Sequence, residues 1–443
     1  MHKEIKNKIS LDMILLFVLG INFILTVSNW HYIKFIPINF GLPRNFIFFY
    51  TFFILFIFYY IISKSKKINY NLRYYIKLCI IILLIFVFII ITGVYQILLR
   101  KKGADPIYVH DGILVSEQAI KYLDEGKNPY VENYKESFSY FIEKYGQRER
   151  DNPVWHHYVY LPYYFLFSWP FYKVSHYFFG FFDQRIVHIF IFIFSLILIY
   201  KIPKNKNKKL IALLLFAFNP LFFPWFFNGH NDIFIFFWLI LSIYLLTKRK
   251  YIWSSLFLGL ACVSKHQAWL FLPFYFIYLF YSQNLIKNYF RRALITFKKM
   301  WLTFLIFIIF LTPFLFWNYG TFIEDIIEYP AGKSAHVLPV VGYGISYFLY
   351  MIGIIKDQWD YYPFWIWQVI FCLPLFYYFV RKQKINNNLK QLVFNYGVFV
   401  FVFLFFSRYL NTNYISYLSM IFLSAYLIED KYFFKKNSKL KKK

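Results

Sequence analysis

The chain has 443 residues, of which 60% are hydrophobic and only 16% are charged. Soluble globular proteins carry about 25% charged residues, whereas long apolar runs recur here from end to end. These values exclude a soluble enzyme, a secreted disulfide scaffold and a disordered chain, and they indicate a polytopic membrane protein.

The apolar segments predict an all-α, polytopic integral membrane protein with about 11–13 transmembrane helices. Pro162 and Pro170 interrupt the segment at 157–178. We favour a re-entrant or interfacial position for this segment, so that 157–201 crosses the membrane once. In the alternative, the segments at 157–178 and 186–201 both span the membrane, which would place the loop at 228–232 in the cytoplasm. In chain order the apolar segments are 11–29, 45–63, 77–99, 157–178, 186–201, 210–227, 232–247, 251–281 (one segment or two short helices), 300–317, 362–380, 391–406 and 414–429.

The net charge of +28 arises from basic residues that lie beside the apolar segments. Of the 49 lysines and arginines, 32 fall in seven short clusters. Such clusters are typical of cytoplasmic loops under the positive-inside rule, so their placement argues against nucleic-acid binding. The clusters are 3–8, 64–77, 201–209, 248–250, 287–299, 381–390 and 431–443.

The acidic residues are concentrated elsewhere. Ten of the 21 lie between Asp105 and Asp151, and five more lie between Glu324 and Asp360. This separation indicates two exterior loops, the first of which is expected to pack on the membrane domain through short amphipathic helices. The expected regions are N-terminal transmembrane helices at 1–99, an exterior acidic loop at 100–156, central transmembrane helices at 157–317, a second exterior loop with an interfacial helix at 318–361, and C-terminal transmembrane helices with a basic cytoplasmic tail at 362–443.

Asp111 precedes a predicted helix in the first exterior loop. Apolar residues on one face predict an amphipathic helix at 114–124 that ends at Gly126 and lies on the membrane surface. On position alone Asp111 could cap this helix. The alternative is a general base, because a carboxylate placed beside a hydroxyl can take its proton.

Aromatic and histidine residues follow where the chain returns to the membrane. Tyrosine and tryptophan at this depth are typically belt residues, although rings with hydroxyl edges also suit sugar binding. Neither the histidines nor the three cysteines show the spacing of a metal site, so no metal ligand is predicted. The aromatic and histidine residues are Trp155, His156, His157, Tyr158 and Tyr160.

Isolated polar residues also lie within the apolar part of the chain. Asn231 and Asp232 begin a helix and could cap it. Lys265, which precedes His266, lies in an apolar hairpin, and Arg408 lies between the last two segments. Intramembrane cations are functional hypotheses by default, and a lipid-linked phosphate is the anion available at that depth. The alternative for Lys265 is a side chain that extends to the interface.

In this order the segments resemble the GT-C superfamily of polytopic glycosyltransferases. The resemblance is to the branch of polyprenyl-phosphate-mannose-dependent mannosyltransferases, which includes GPI mannosyltransferase I and uncharacterised prokaryotic relatives. The residues that carry it are Asp111, Gly126-x-x-Pro129-Tyr130, Tyr158-x-Tyr160-x-Pro162, Asn219-Pro220 followed by Asn231-Asp232, Lys265 and Arg408.

The resemblance implies an inverting transferase that moves a hexose, mannose-like, from a polyprenyl-phosphate donor to a lipid, glycan or protein acceptor at the non-cytoplasmic face. Asp111 would be the catalytic base. No second acid forms an Asp-x-Asp pair with it, which leaves a divalent cation as an open alternative. Lys265, Arg408 and His266 would bind the donor phosphate. The remaining substrate-binding residues would be Tyr130, His157, Tyr160, Asn231, Asp232 and Tyr414.

The expected location is multi-pass in the plasma membrane of a prokaryote, or in the endoplasmic reticulum of a eukaryote. The expected partners are the donor, the acceptor and membrane lipids, with no nucleic acid. A flippase or transporter of lipid-linked sugars is the first alternative, although the symmetric halves that would favour it are not visible. A structural membrane protein is the second.

Overall fold

The computed structural model describes residues 10–29, 46–103, 109–148 and 152–429. Among these residues the fold is helical apart from two short strands, which confirms the predicted all-α class. Asp105, Asp151 and the basic clusters at 3–8 and 431–443 lie outside the described residues.

The N-terminal helices form a group held at one end by a buried ion pair. Asp12 contacts both the Lys77 ammonium group and the Tyr59 hydroxyl. The third member is a continuous helix that is interrupted by a π-helical turn, Phe86–Ile91. The helices are α1 (Leu11–Asn29), α2 (Phe46–Lys64), α3 (Tyr70–Ile85) and α4 (Thr92–Lys101).

The first exterior loop contains α5 (Asp111–Asp124) and α6 (Ser139–Tyr145). The predicted amphipathic helix is confirmed as α5, which buries one face and ends before Gly126 at a φ of +76°. It starts three residues earlier than predicted, because the His110 side chain accepts a hydrogen bond from the Gly112 N–H and so caps it.

The next helix is α7 (Tyr163–Phe179), which continues through Pro170. Its first N–H donates to Val263 O at 3.2 Å, and its last residue contacts Lys101. Between these ends, Trp169 donates to Asp124 of α5 at 3.0 Å. These contacts tie α7 to α4, to α5 and to Val263, and the interfacial position that we favour for it from Pro162 and Pro170 stays a prediction.

The central bundle surrounds one almost completely buried helix, α11. Small hydroxyl residues allow close packing there: Ser242 of α11 donates to Ser254 O at 2.7 Å, as is common between membrane helices. The segment predicted at 210–227 breaks at Asn219–Pro220, and 251–281 forms two helices. The central helices are α8 (Arg185–Lys201), α9 (Lys206–Ala217), α10 (Phe223–Asn228), α11 (Asp232–Thr247), α12 (Tyr251–Cys262) and α13 (Leu272–Tyr281), the last preceded by a 3₁₀ turn at His266–Phe271.

The C-terminal part contains the second exterior loop and the last helices. Strands β1 and β2 pair in parallel, with Val341 opposite Tyr409. Phe348 and Met351 of α17 are exposed, in line with the interfacial position predicted for this stretch. The elements are α14 (Tyr289–Trp317), α15 (Tyr319–Ile323), a π-helical turn at Glu324–Glu328, α16 (Tyr329–Ala331), β1 (Val341–Gly342), α17 (Ile345–Met351), α18 (Phe364–Ile385), α19 (Leu389–Phe405), β2 (Tyr409–Leu410) and α20 (Thr412–Leu427).

Four helices in the described part of the chain are long and apolar enough to cross a membrane: Phe46–Lys64, Tyr70–Lys101, Tyr289–Trp317 and Phe364–Ile385. The shorter apolar helix α11, at about 24 Å, lies inside the bundle and is almost completely buried. Lys206 donates to Asn71 at 2.7 Å, so the basic clusters at 64–77 and 201–209 lie together at one end. The fold is therefore that of a helical membrane protein with basic and acidic ends.

Candidate active site

The Asp111 carboxylate lies at the start of α5, and only one of its two oxygens accepts a hydrogen bond among the described residues. The His110 Nδ1 atom accepts from the Gly112 N–H, and its Nε2 atom lies 3.0 Å from Asp111 Oδ1. The Gly112 N–H also donates to Oδ1, at 2.6 Å. Among the described residues no hydrogen bond reaches Oδ2, and the Asp111 side chain is 39% exposed. The helix cap is therefore His110, and Asp111 remains able to accept a proton.

Tyr160 lies directly beside this carboxylate. A side chain at Gly112 would collide with the Tyr160 hydroxyl, so only glycine allows this approach. Tyr130 donates to Tyr160 O at 2.7 Å while its ring packs against Phe314 and Phe322. Of these two predicted substrate-binding residues, Tyr160 borders Asp111 and Tyr130 supports it from the core.

The loop between α10 and α11 packs against the start of α5. The His110 N–H donates to Asn228 O at 2.9 Å, and the His110 and His230 ring centroids are 3.7 Å apart. Gly229 has a φ of +98°, and a side chain there would approach Ile113 to 2.6 Å. Burial lowers the pKa of His230 well below its usual value, so its imidazole is neutral.

Lys265 has a carboxylate partner, contrary to its isolated position in the sequence. Its Nζ atom lies 3.0 Å from Asp232 Oδ1 and 2.9 Å from Asn231 Oδ1, and 5.2 Å from the Tyr414 ring centroid. Asp232 Oδ2 accepts from Asn413 at 3.2 Å. Lys265 is only 9% exposed, so the alternative of a side chain that extends to the interface is wrong. The structure thus brings four predicted site residues together.

Tyr409 connects this cluster with Asp111. Burial raises the pKa of the Tyr409 hydroxyl, and the Asp111 and Asp232 carboxylates add to the rise, so both lie within electrostatic reach of it. The hydroxyl accepts from Asn411 at 2.8 Å. The general base candidate and the buried lysine therefore border the same region of the exterior end.

His157 has a partner that the sequence did not reveal. Its Nδ1 atom lies 2.7 Å from Asp325 Oδ1, and its ring centroid lies 4.3 Å from that of Tyr329. The Tyr158 N–H donates to Asp325 Oδ2 at 2.9 Å. Burial raises the pKa of Asp325 and lowers that of His157, so both groups favour their neutral forms. Asp325 and Tyr329 come from the second acidic loop, whose composition was the only signal for them.

The two remaining predicted phosphate ligands contact the second exterior loop. The His266 ring hydrogen-bonds to the backbone of Ile326. The Arg408 guanidinium donates to Asp360 O at 2.7 Å, to Gln358 O at 3.0 Å and to Leu338 O. Burial lowers the pKa of Arg408 to about 10. These contacts show that Arg408 holds the second exterior loop, and its role in binding the donor phosphate stays a prediction.

A saturated charge network, defined as Arg100, Glu117, Asp183 and Arg185, fixes the far side of α5. Arg100 binds Glu117 with both guanidinium nitrogens, at 2.8 and 2.6 Å, and Asp183 at 3.0 Å. Arg185 pairs with Asp183 at 2.7 Å and reaches Phe227 O at 3.4 Å. Although burial opposes it, Arg185 and Arg100 hold the pKa of Asp183 well below its usual value. The network therefore ties α4, α5 and α8 together.

The described residues contain no group of three or more histidine, cysteine, aspartate or glutamate side chains that could hold a metal ion. The three cysteines are free thiols. The chemistry available at this site is accordingly that of a carboxylate, a buried lysine and several tyrosine and histidine side chains.

Residues 162–317 match the family described as dolichyl-phosphate-mannose-protein mannosyltransferase. The matched stretch is a GT-C type glycosyltransferase domain, so the resemblance predicted from the sequence is confirmed there. It contains Asn231, Asp232 and Lys265, whereas Asp111 and Arg408 lie outside it. No curated protein and no solved structure matches the chain. At the level of this family, the match over 162–317 supports a polyprenyl-phosphate-mannose-dependent membrane glycosyltransferase.

Proposed function

We propose that the protein transfers a hexose, mannose-like, from a polyprenyl-phosphate donor to a lipid, glycan or protein acceptor at the exterior face, with inversion. The family match supports the reaction class. The observation that carries the proposal is that the start of α5, which bears Asp111, packs on the 228–230 loop that leads directly to Asp232, the partner of Lys265. The loops at 100–156 and 318–361 would then enclose the site, within the plasma membrane or the endoplasmic reticulum according to the organism.

Asp111 acts as the base in this proposal. Its open Oδ2 accepts the proton of the acceptor hydroxyl, whose oxygen then attacks the anomeric carbon. The Gly112 N–H donates to Oδ1, beside which His110 Nε2 lies at 3.0 Å, and these contacts fix the direction of Oδ2. A positioned base of this kind typically contributes about 10²–10⁴-fold to the rate. Because the carboxylate is partly exposed, the proton can leave to solvent.

Lys265 stabilises the leaving group in this proposal. As the bond between the anomeric carbon and the phosphate oxygen breaks, negative charge develops on the phosphate. Two of the three N–H donors of Lys265 are held by Asn231 and Asp232, which leaves one for the phosphate. A cation that is already in place needs no reorganisation during the reaction. Tyr160 and Tyr414 would provide ring faces for the sugar.

The direct test replaces Asp111 by asparagine. The amide of the new side chain keeps an oxygen for His110 and Gly112 but is not a base, so transfer should fall by about 10² or more while thermal stability stays unchanged. Transfer is measured as incorporation of radiolabel from a polyprenyl-phosphate hexose into lipids and proteins of native membranes. Asp124→Asn, on the same helix, is the matched control. Undiminished transfer by Asp111→Asn would remove the assignment of the base.

A further inference from the structure

A buried polar atom beside the candidate site, the hydroxyl of Tyr329, has no hydrogen-bond partner among the described residues. Tyr329 is 1% exposed, and its ring stacks on that of His157, which hydrogen-bonds to Asp325 and to the backbone of His336. Leaving a buried polar group without a partner is unfavourable. Folded proteins keep few of them, and a water molecule or a ligand is the usual explanation.

The surroundings determine what this atom offers. Burial raises the pKa of the Tyr329 hydroxyl, so it remains protonated and can both donate and accept. A neutral group of this kind matches an uncharged hydroxyl better than a phosphate or a cation.

The surroundings of Tyr329 place its hydroxyl near the candidate active site. After burial, the Asp111 and Tyr409 side chains are the next contributors that raise the pKa of Tyr329, so both lie within electrostatic reach of it. Tyr329 therefore belongs to the same region as the proposed base, although it comes from the second exterior loop.

We propose that the Tyr329 hydroxyl, whose ring stacks on His157, forms a subsite for one hydroxyl group of a hexose bound beside Asp111. Asp325 is a positioning residue, because it holds the His157 ring through Nδ1 and is itself held by the Tyr158 N–H. This inference rests on the proposed function and extends it to recognition of the sugar.

Tyr329→Phe tests the subsite, since it removes only the hydroxyl. Loss of an unsatisfied buried group is neutral or stabilising, so the melting temperature should stay equal or rise. Loss of one hydrogen bond to the sugar should lower kcat/KM for transfer about 3- to 10-fold. An activity loss without a stability loss cannot result from misfolding.

Tyr396→Phe is the matched control with the opposite expectation. Its hydroxyl donates to Gln267 O at 2.9 Å and lies 2.8 Å from the Tyr417 hydroxyl. Removal of this satisfied group should lower the melting temperature and leave kcat/KM per folded molecule unchanged.

Monodeoxy hexosyl donors and acceptors identify the hydroxyl. One of them should reduce the wild-type kcat/KM as much as Tyr329→Phe does, with no further reduction when the two changes are combined. An unchanged kcat/KM for Tyr329→Phe, or additive losses with every deoxy sugar, would overturn the subsite. If the wild type transfers and Asp111→Asn does not, such a result leaves the proposed function intact; if the wild type transfers nothing, the proposed function itself fails.

Discussion

The helix α5 borders two polar regions that differ in how completely their hydrogen-bonding groups are used. In the saturated charge network, Arg100 and Arg185 each bind through several nitrogens, and their carboxylate partners accept from both sides. Around Asp111, by contrast, Oδ2 of Asp111 and the hydroxyl of Tyr329 have no hydrogen-bond partner among the described residues. Unused hydrogen-bonding capacity is what separates a structural cluster from a candidate binding site.

Lys265 is the most demanding case for this comparison, because it is paired and yet proposed to act on substrate. Lys265→Met leaves Asp232 buried without its counter-ion and should lower the free energy of unfolding by about 3–5 kcal/mol. Asp232→Asn combined with Lys265→Met removes both charges and should recover most of that stability. Transfer should remain lost in the double variant, since no cation faces the phosphate. Recovery of transfer would make Lys265 purely structural. Chemical denaturation and the radiolabel assay measure the two effects.

Glu117→Gln examines the saturated network on the same helix. The substitution replaces a charged acceptor for Arg100 by a neutral amide, which should lower the free energy of unfolding by about 1.5–3 kcal/mol. Transfer per folded molecule should stay close to the wild type, the reverse of the pattern for Asp111→Asn. A loss of transfer at unchanged stability would show that the network also acts within the site.

Asp124→Asn should have the smallest effect. The hydrogen bond from Lys173, followed by that from Trp169, lowers the pKa of Asp124 below 3.8. A carboxylate with a lowered pKa stabilises the fold at pH values above its unfolded pKa, and this contribution is lost as the pH falls through the folded value. Because the pair is largely solvated, the difference from the wild type should be below about 1 kcal/mol at pH 7. Thermal melts of the two proteins should converge only as the pH falls below 3.8 and through the lowered pKa of Asp124; a constant gap would contradict the assignment.

Local sequence patterns predicted much of the helical fold. The helix at 232–247 has the predicted bounds, because its apolar run lies between Asp232 and the basic cluster at 248–250. The helix expected at 300–317 begins instead at Tyr289, since Asn288 caps it and its arginines remain helical. The π-helical turn at Phe86–Ile91 has no sequence signal that we recognise.

The site was predictable only where a charge stood out from an apolar background, as for Lys265. Its partner Asp232 is 33 residues away, and Asp325 is 168 residues from His157. No spacing rule connects residues at such distances, because tertiary packing alone brings them together. The contacts of Arg408 could not be predicted for another reason: its partners are backbone carbonyls, which every residue has.

The contacts of Arg408 also have a mechanical consequence. Arg408 holds the carbonyls of Leu338, Gln358 and Asp360, and it lies just before α20, whose residue Asn413 donates to Asp232. Only a few residues separate these two attachments. A displacement of the second exterior loop is therefore transmitted through the start of α20 to the carboxylate that holds Lys265, so that loop opening and the position of the buried cation change together.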